Sequence, residues 1–174
     1  QLASLFPRRI PVTREMVNAA REAWKAWTAP TPELLQRIAA VESNPLTYLP
    51  AAVERLLQEL PAPRTGLGRT EHSGLEISAR GPTTLFDAFC ASQDREERPW
   101  LGDSMFFTTL LPLTRGPSPL IASEGTWPGS TEHGENPRLT VTPAGRSVLA
   151  GEADWQAMGA PSRWVAGTEL IPGE

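Results

Sequence analysis

The stretch Arg138-Leu139-Thr140-Val141-Thr142-Pro143-Ala144-Gly145-Arg146-Ser147-Val148-Leu149 carries most of the information about the fold. Leu139 and Val141 alternate with polar neighbours, the two-residue period of a half-buried strand. Thr142-Pro143 then reads as a helix start. The hydroxyl can accept from a free amide of the first turn, and proline's fixed φ suits the first helical position. Val148 and Leu149 give this helix an inward face, Gly145 permits a close approach, and Gly151 ends it.

Working outward, Pro119-Leu120-Ile121-Ala122 reads as a second strand, separated from the first by a polar, Gly-rich loop over 123–137. Upstream, the spacing predicts helices over roughly 69–80 (Leu75, Ile77) and 83–93 (Leu85, Phe86, Phe89). A third starts after Pro99-Trp100-Leu101-Gly102-Asp103 and carries Met105, Phe106, Leu110 and Leu113. Gly81-Pro82 separates the first two, and Pro112 should kink or end the third, because it removes a backbone donor. Gly68 reads as the cap of the first, with Glu71 reaching back to its backbone. Three helices, a hairpin and a closing helix are the parts of a winged helix.

The N-terminal stretch follows the helical period too. Leu2, Leu5 and Phe6 fit a last helical turn. Thr13 caps a helix over roughly 14–28 with Met16, Val17, Ala20, Ala23, Trp24 and Trp27 at helical spacing, and Thr31-Pro32 starts another with Leu34, Leu35, Ile38 and Val41. A further helix begins near Pro50 and places Val53, Leu56, Leu57 and Leu60 inward. Pro61-Ala62-Pro63-Arg64-Thr65-Gly66 is the best internal boundary. The expected class is therefore mainly α with a small β-hairpin: a helical segment over 1–64, a winged-helix-like domain over 65–151, and a C-terminal tail over 152–174 packed on the body. In that tail Trp155, Trp164 and Val165 are expected to turn inward.

With 174 residues, 40% hydrophobic and 21% charged, the chain has the composition of a globular protein. No run approaches the ~20 apolar residues of a membrane span, and the sole cysteine, Cys90, can form no internal disulfide. A cytoplasmic location is the expectation, with no membrane partner. One cysteine and the distant His72 and His133 do not make a zinc site, and phosphate-binding glycine signatures are absent, so neither metal nor cofactor is expected. Net charge is −4. Residues 1–68 carry 8 basic and 6 acidic groups, residues 69–151 carry 7 and 10, and the remainder 1 and 4. An acidic winged-helix region disfavours tight binding of duplex DNA, whose phosphates supply most non-specific affinity.

The stretch 139–149 resembles the wing strand and following helix of bacterial winged-helix regulators of the multiple-antibiotic-resistance repressor type. A broader likeness runs through Gln1-Leu2-Ala3-Ser4-Leu5-Phe6, Gly66-Leu67-Gly68-Arg69-Thr70-Glu71, Pro99-Trp100-Leu101-Gly102-Asp103 and Arg163-Trp164-Val165. These residues resemble the C-terminal half of a bacterial family of unknown function whose members carry an additional N-terminal α/β region. That resemblance implies architecture and no mechanism, with any catalytic residues lying in the α/β region.

The helix starting at Asp103 takes the position that reads bases in a winged helix. Its outward residues would be Ser104, Phe107, Thr108, Leu111 and Arg115, of which Arg115 alone suits phosphate or guanine. A helix packed on protein is the favoured reading. The loop holding Glu124, Trp127, Glu132, His133 and Glu135 should repel phosphate and behave as a mobile solvated loop; Glu132, His133 and Glu135 offer metal donors in no specific spacing. Asp94 to Arg98 reads as a solvated turn and not as paired catalytic carboxylates, Cys90 as a buried thiol, and His72 as a surface residue. Two function classes follow. The first is a non-catalytic regulatory winged-helix module that contacts a protein or, weakly, nucleic acid through Arg69, Ser104, Thr108, Arg115 and Arg138. The second is an accessory or lid domain docking on its own α/β region or another protein through Leu5, Phe6, Trp24 and Trp27.

Overall fold

A computed structural model describes residues 2–128 and 136–172. It is mainly helical with a small antiparallel sheet, and no described helix is long and apolar enough to cross a membrane. The chain divides into two compact units, one of Gln1–Leu57 with Trp164–Glu169 and one of Gln58–Arg163 with Leu170–Glu174.

The first unit contains α1 (Leu2–Leu5), a 3-10 turn at Phe6–Arg8, α2 (Arg14–Trp27), α3 (Glu33–Ala39) and α4 (Leu49–Leu57). Thr13 caps α2 by accepting from the Met16 amide. The next helix starts one residue later than expected, with Pro32 itself at the cap. α3 packs on α2 and α4 around a small core of Ala26, Leu35, Val53 and Leu56. Leu34 and Val41, expected on the apolar face of α3, are exposed instead, because Leu35 alone of that set is buried.

The second unit begins with α5 (Arg69–Ala79), the two-residue strand β1 (Thr83–Thr84), α6 (Leu85–Gln93) and α7 (Asp103–Leu110). It continues through β2 (Ile121–Glu124), β3 (Arg138–Val141) and α8 (Pro143–Leu149). The sheet order is β1-β3-β2, with Thr83 opposite Leu139 and Ile121 opposite Val141. β1 departs from the expectation of a helix starting at 83. Thr84 caps α6 by accepting from the Asp87 amide, so the helix starts at Leu85 and frees two threonines to pair with β3. Pro112 acts as expected, since the α-helical geometry of α7 ends at Leu110 and a 3-10 turn covers Leu111–Thr114.

Leu75, Leu85, Phe106, Leu120, Leu139 and Val148 are fully buried and knit these elements together. Gly145 allows α8 to come this close: a Cβ there would stand 2.2 Å from the Leu120 carbonyl oxygen. That hydroxyl-capped turn is pinned as well. The Thr142 hydroxyl donates to the Pro119 carbonyl at 2.7 Å and accepts from the Gly145 amide at 3.0 Å. In the tail, Trp155 and Val165 are buried, but Trp164 is 63% exposed, against the expectation for a lone tryptophan. It lies in β4 (Arg163–Val165), which pairs with β5 (Thr168–Leu170); Val165 is buried, and its strand neighbour Trp164 points the other way by strand alternation.

Candidate functional site

The most tightly built polar cluster lies at the start of α5. Gly68 at the N-cap leaves its amide to the Glu71 carboxylate, 2.8 Å away, as the sequence suggested. Glu71 is 2% exposed, and its other oxygen pairs with Arg163. One residue back, Thr70 donates its hydroxyl and its amide to Glu59, from the segment preceding the turn at 61–66. Burial pushes the Glu71 carboxyl above its usual range, and the neighbouring Glu59 adds to this; Arg163 and the Gly68 amide offset it only in part. Two carboxylates, a threonine and an arginine hold each other's charges here. They fasten three chain segments and leave no open reacting position, so the cluster reads as structural. Sequence reasoning found the Gly68–Glu71 link because it is local. Glu59 and Arg163 gave no signal, being brought in from outside the helix.

The turn from Asp94 to Arg98 is not a freely solvated turn. Arg95 donates to Glu76 at 2.8 Å and to the Ser73 hydroxyl at 3.2 Å, and Glu96 receives Arg69 at 3.1 Å. All three partners, Glu76, Ser73 and Arg69, sit on α5, so the turn clamps that helix. Burial alone would raise the Glu76 carboxyl, but Arg95 and Arg80 together hold it below its usual range. Cys90 is exposed, which corrects the expectation of a buried thiol: on α6 it is Leu85, Ala88 and Ser92 that turn inward, and Cys90 falls on the other side.

The residues expected to contact nucleic acid or a partner divide by their surroundings. Ser104 and Thr108 are exposed one turn apart on α7, and the Thr108 hydroxyl is spent on the Ser104 carbonyl at 2.9 Å. Phe107 and Leu111, also expected outside, are partly buried. Arg69 is bound to Glu96 and to Gln58. Arg138 stands opposite Glu124 in the β2–β3 register. Arg115 is exposed at the end of the 3-10 turn and makes no ion pair among the described residues. Glu132, His133 and Glu135 lie outside the described residues. Trp127 is partly buried and donates from Nε1 to the Ser123 hydroxyl at 2.8 Å. No group of three metal-ligating side chains occurs among the described residues.

The residues expected to dock are exposed as well: Leu5, Phe6, Trp24 (67%) and Trp27, as are Ile10, Val12 and Val17. Arg9 stacks over the Phe6 ring at 4.1 Å. Compared with known proteins, the chain matches no family model, no curated protein and no solved structure.

Proposed function

We propose that this chain is a non-catalytic regulatory module, its second unit arranged as a winged helix, that acts through contact with a protein and at most weakly with nucleic acid. The order helix, short strand, two helices, hairpin and helix, with β3 central in the sheet, supports the winged-helix arrangement. The charge pattern carries the choice of partner. In a base-reading winged helix the helix at the α7 position presents Arg, Lys, Asn or Gln to the groove. Here α7 exposes Ser104, Met105 and Thr108, and of the three candidate arginines Arg69 and Arg138 face carboxylates. Phosphate would have to displace those carboxylates or accept their repulsion. Fluorescence anisotropy of a mixed-sequence duplex, titrated with the chain at low and raised salt, tests this. Binding no tighter than the ~10⁻⁴ M end of non-specific affinity is expected. Tight, steeply salt-dependent binding lost in Arg115→Ala would overturn it.

A second reading is an accessory or lid domain that docks on an α/β region carrying the chemistry. The exposure of Leu5, Phe6, Trp24 and Trp27 supports it, since large exposed apolar patches mark contact surfaces and tryptophan is enriched at their energetic centres. These residues are given to a protein by this second reading, whereas the first places its contacts on Arg69, Ser104, Thr108, Arg115 and Arg138 of the second unit.

A further inference from the structure

We propose that the groove along α2 receives an amphipathic helix of a partner protein, with Asp or Glu along one edge of the partner's apolar face. The inference rests on reading the Trp24 face as a docking surface, and adds the chemistry of what docks. Met16, Ala20 and Trp24 stack one turn apart over ~12 Å of α2. With Val12, Val17 and Leu46 they line a concavity of about 570 Å³. A helix laid into such a groove places side chains at i, i+3, i+4 and i+7 into it, which matches an apolar row of this length.

Charge selects the partner. The other two lining residues are Arg21 and Lys25, both cations, and no carboxylate lines the groove. Helical spacing sets Arg14 along the same edge as Arg21, while Glu15 and Glu22 fall on another side of α2. Lys25 is shared with Glu22 at 2.7 Å, a pair two-thirds exposed and so worth little. Arg21 and Arg14 make no ion pair among the described residues. A carboxylate edge on the incoming helix would meet these cations. A second copy of the chain, packed antiparallel through the same face, would set the cations against one another. A membrane of anionic lipid would meet the same cations and is the competing occupant, which vesicle sedimentation separates from a helix.

The test titrates the full chain into a fluorescein-labelled amphipathic peptide of about 16 residues, with Leu at the groove-facing positions and Glu along one edge, and into its twin with Lys in place of Glu. The Glu peptide is expected to bind at least ~10-fold tighter than the Lys peptide by anisotropy. Trp24→Ala and Ala20→Glu, both at exposed positions, should each weaken it by ~10-fold or more, with the far-ultraviolet circular dichroism of each variant checked against the parent. Arg21→Glu with Lys25→Glu should reverse the preference. Binding lost in Trp24→Ala but indifferent to peptide charge would keep the docking surface and overturn the acidic partner. Binding of neither peptide overturns the proposal, as does sedimentation of the chain with phosphatidylserine vesicles while neither peptide binds.

Discussion

Two helices of similar size behave in opposite ways. α5, of 11 residues, buries Thr70, Glu71, Gly74, Leu75, Ile77 and Ser78. α2, of 14 residues, buries Ala26 alone and leaves Val17, Trp24 and Trp27 in solvent. Both have caps and apolar residues at helical spacing, so local sequence does not separate them. What separates them is partners. α5 is contacted by α6, α7, α8 and β3, whereas α2 has α3 along one side. The lesson is that an amphipathic pattern says which face wants covering, and the rest of the unit says whether it is covered. A helix with its apolar face closed is part of a scaffold; one with its apolar face open keeps that face available, which is what the docking proposal uses.

Substitutions can break that comparison. Leu75→Ala, at a fully buried position on α5, is expected to cost about 2–5 kcal/mol in urea or guanidinium unfolding. Gly145→Ala forces a methyl toward the Leu120 carbonyl and should cost about 1–3 kcal/mol, more if α8 cannot shift. Trp24→Ala should change stability by no more than ~0.5 kcal/mol, as for a surface residue, despite deleting the largest side chain type. If Trp24→Ala matched Leu75→Ala, the α2 face would be core and the contrast would be lost.

The buried Glu71 sharpens the same contrast through pH. Its carboxyl is raised in the folded chain, so the folded state holds the proton to higher pH than the unfolded state does. Its contribution to stability is therefore greatest below the unfolded value, near 4.5, and declines as pH rises through the folded value. Glu71→Gln removes that titration. The stability of the parent relative to Glu71→Gln should fall as pH rises from 4.5, measured by thermal unfolding across the range. A relative stability that climbed with pH would mean that Arg163 outweighs burial. Glu15, on α2, has the opposite sign: it is fully exposed, and its own backbone amide and the Thr13 side chain lower its carboxyl, so what it contributes is lost as pH falls.

Local signals were legible in the sequence and long-range ones were not. Thr142-Pro143 with Gly145, the Thr13 cap, the Gly68–Glu71 link and the stop at Pro112 all act within about a turn of their own position, so a single stretch contains the cause and the effect. β1 was invisible because two threonines become a strand only when Leu139 and Arg138, more than fifty residues on, lie beside them. The pairing of Glu71 with Arg163 and the clamp of Arg95 on Glu76 are non-local in the same sense. Leu5, Phe6, Trp24 and Trp27, expected as docking residues, are all exposed, and Trp24 lines the groove along α2; Met16, Ala20 and Leu46, which line it too, are apolar at helical spacing or brought in from outside the helix, and the sequence does not mark them as a groove. The cations that edge it went unremarked, because charges on a helix surface ordinarily mean solvent and nothing more.

Amide hydrogen exchange of the full chain, read by mass spectrometry, tests the contrast between α5 and α2 most directly. Amides of α5 should exchange only through global unfolding, while those of α2 should open locally and exchange at least ~100-fold faster. Addition of the Glu-edged peptide should slow exchange in α2 and leave α5 unchanged. Equal protection of the two helices, with or without peptide, would contradict the account.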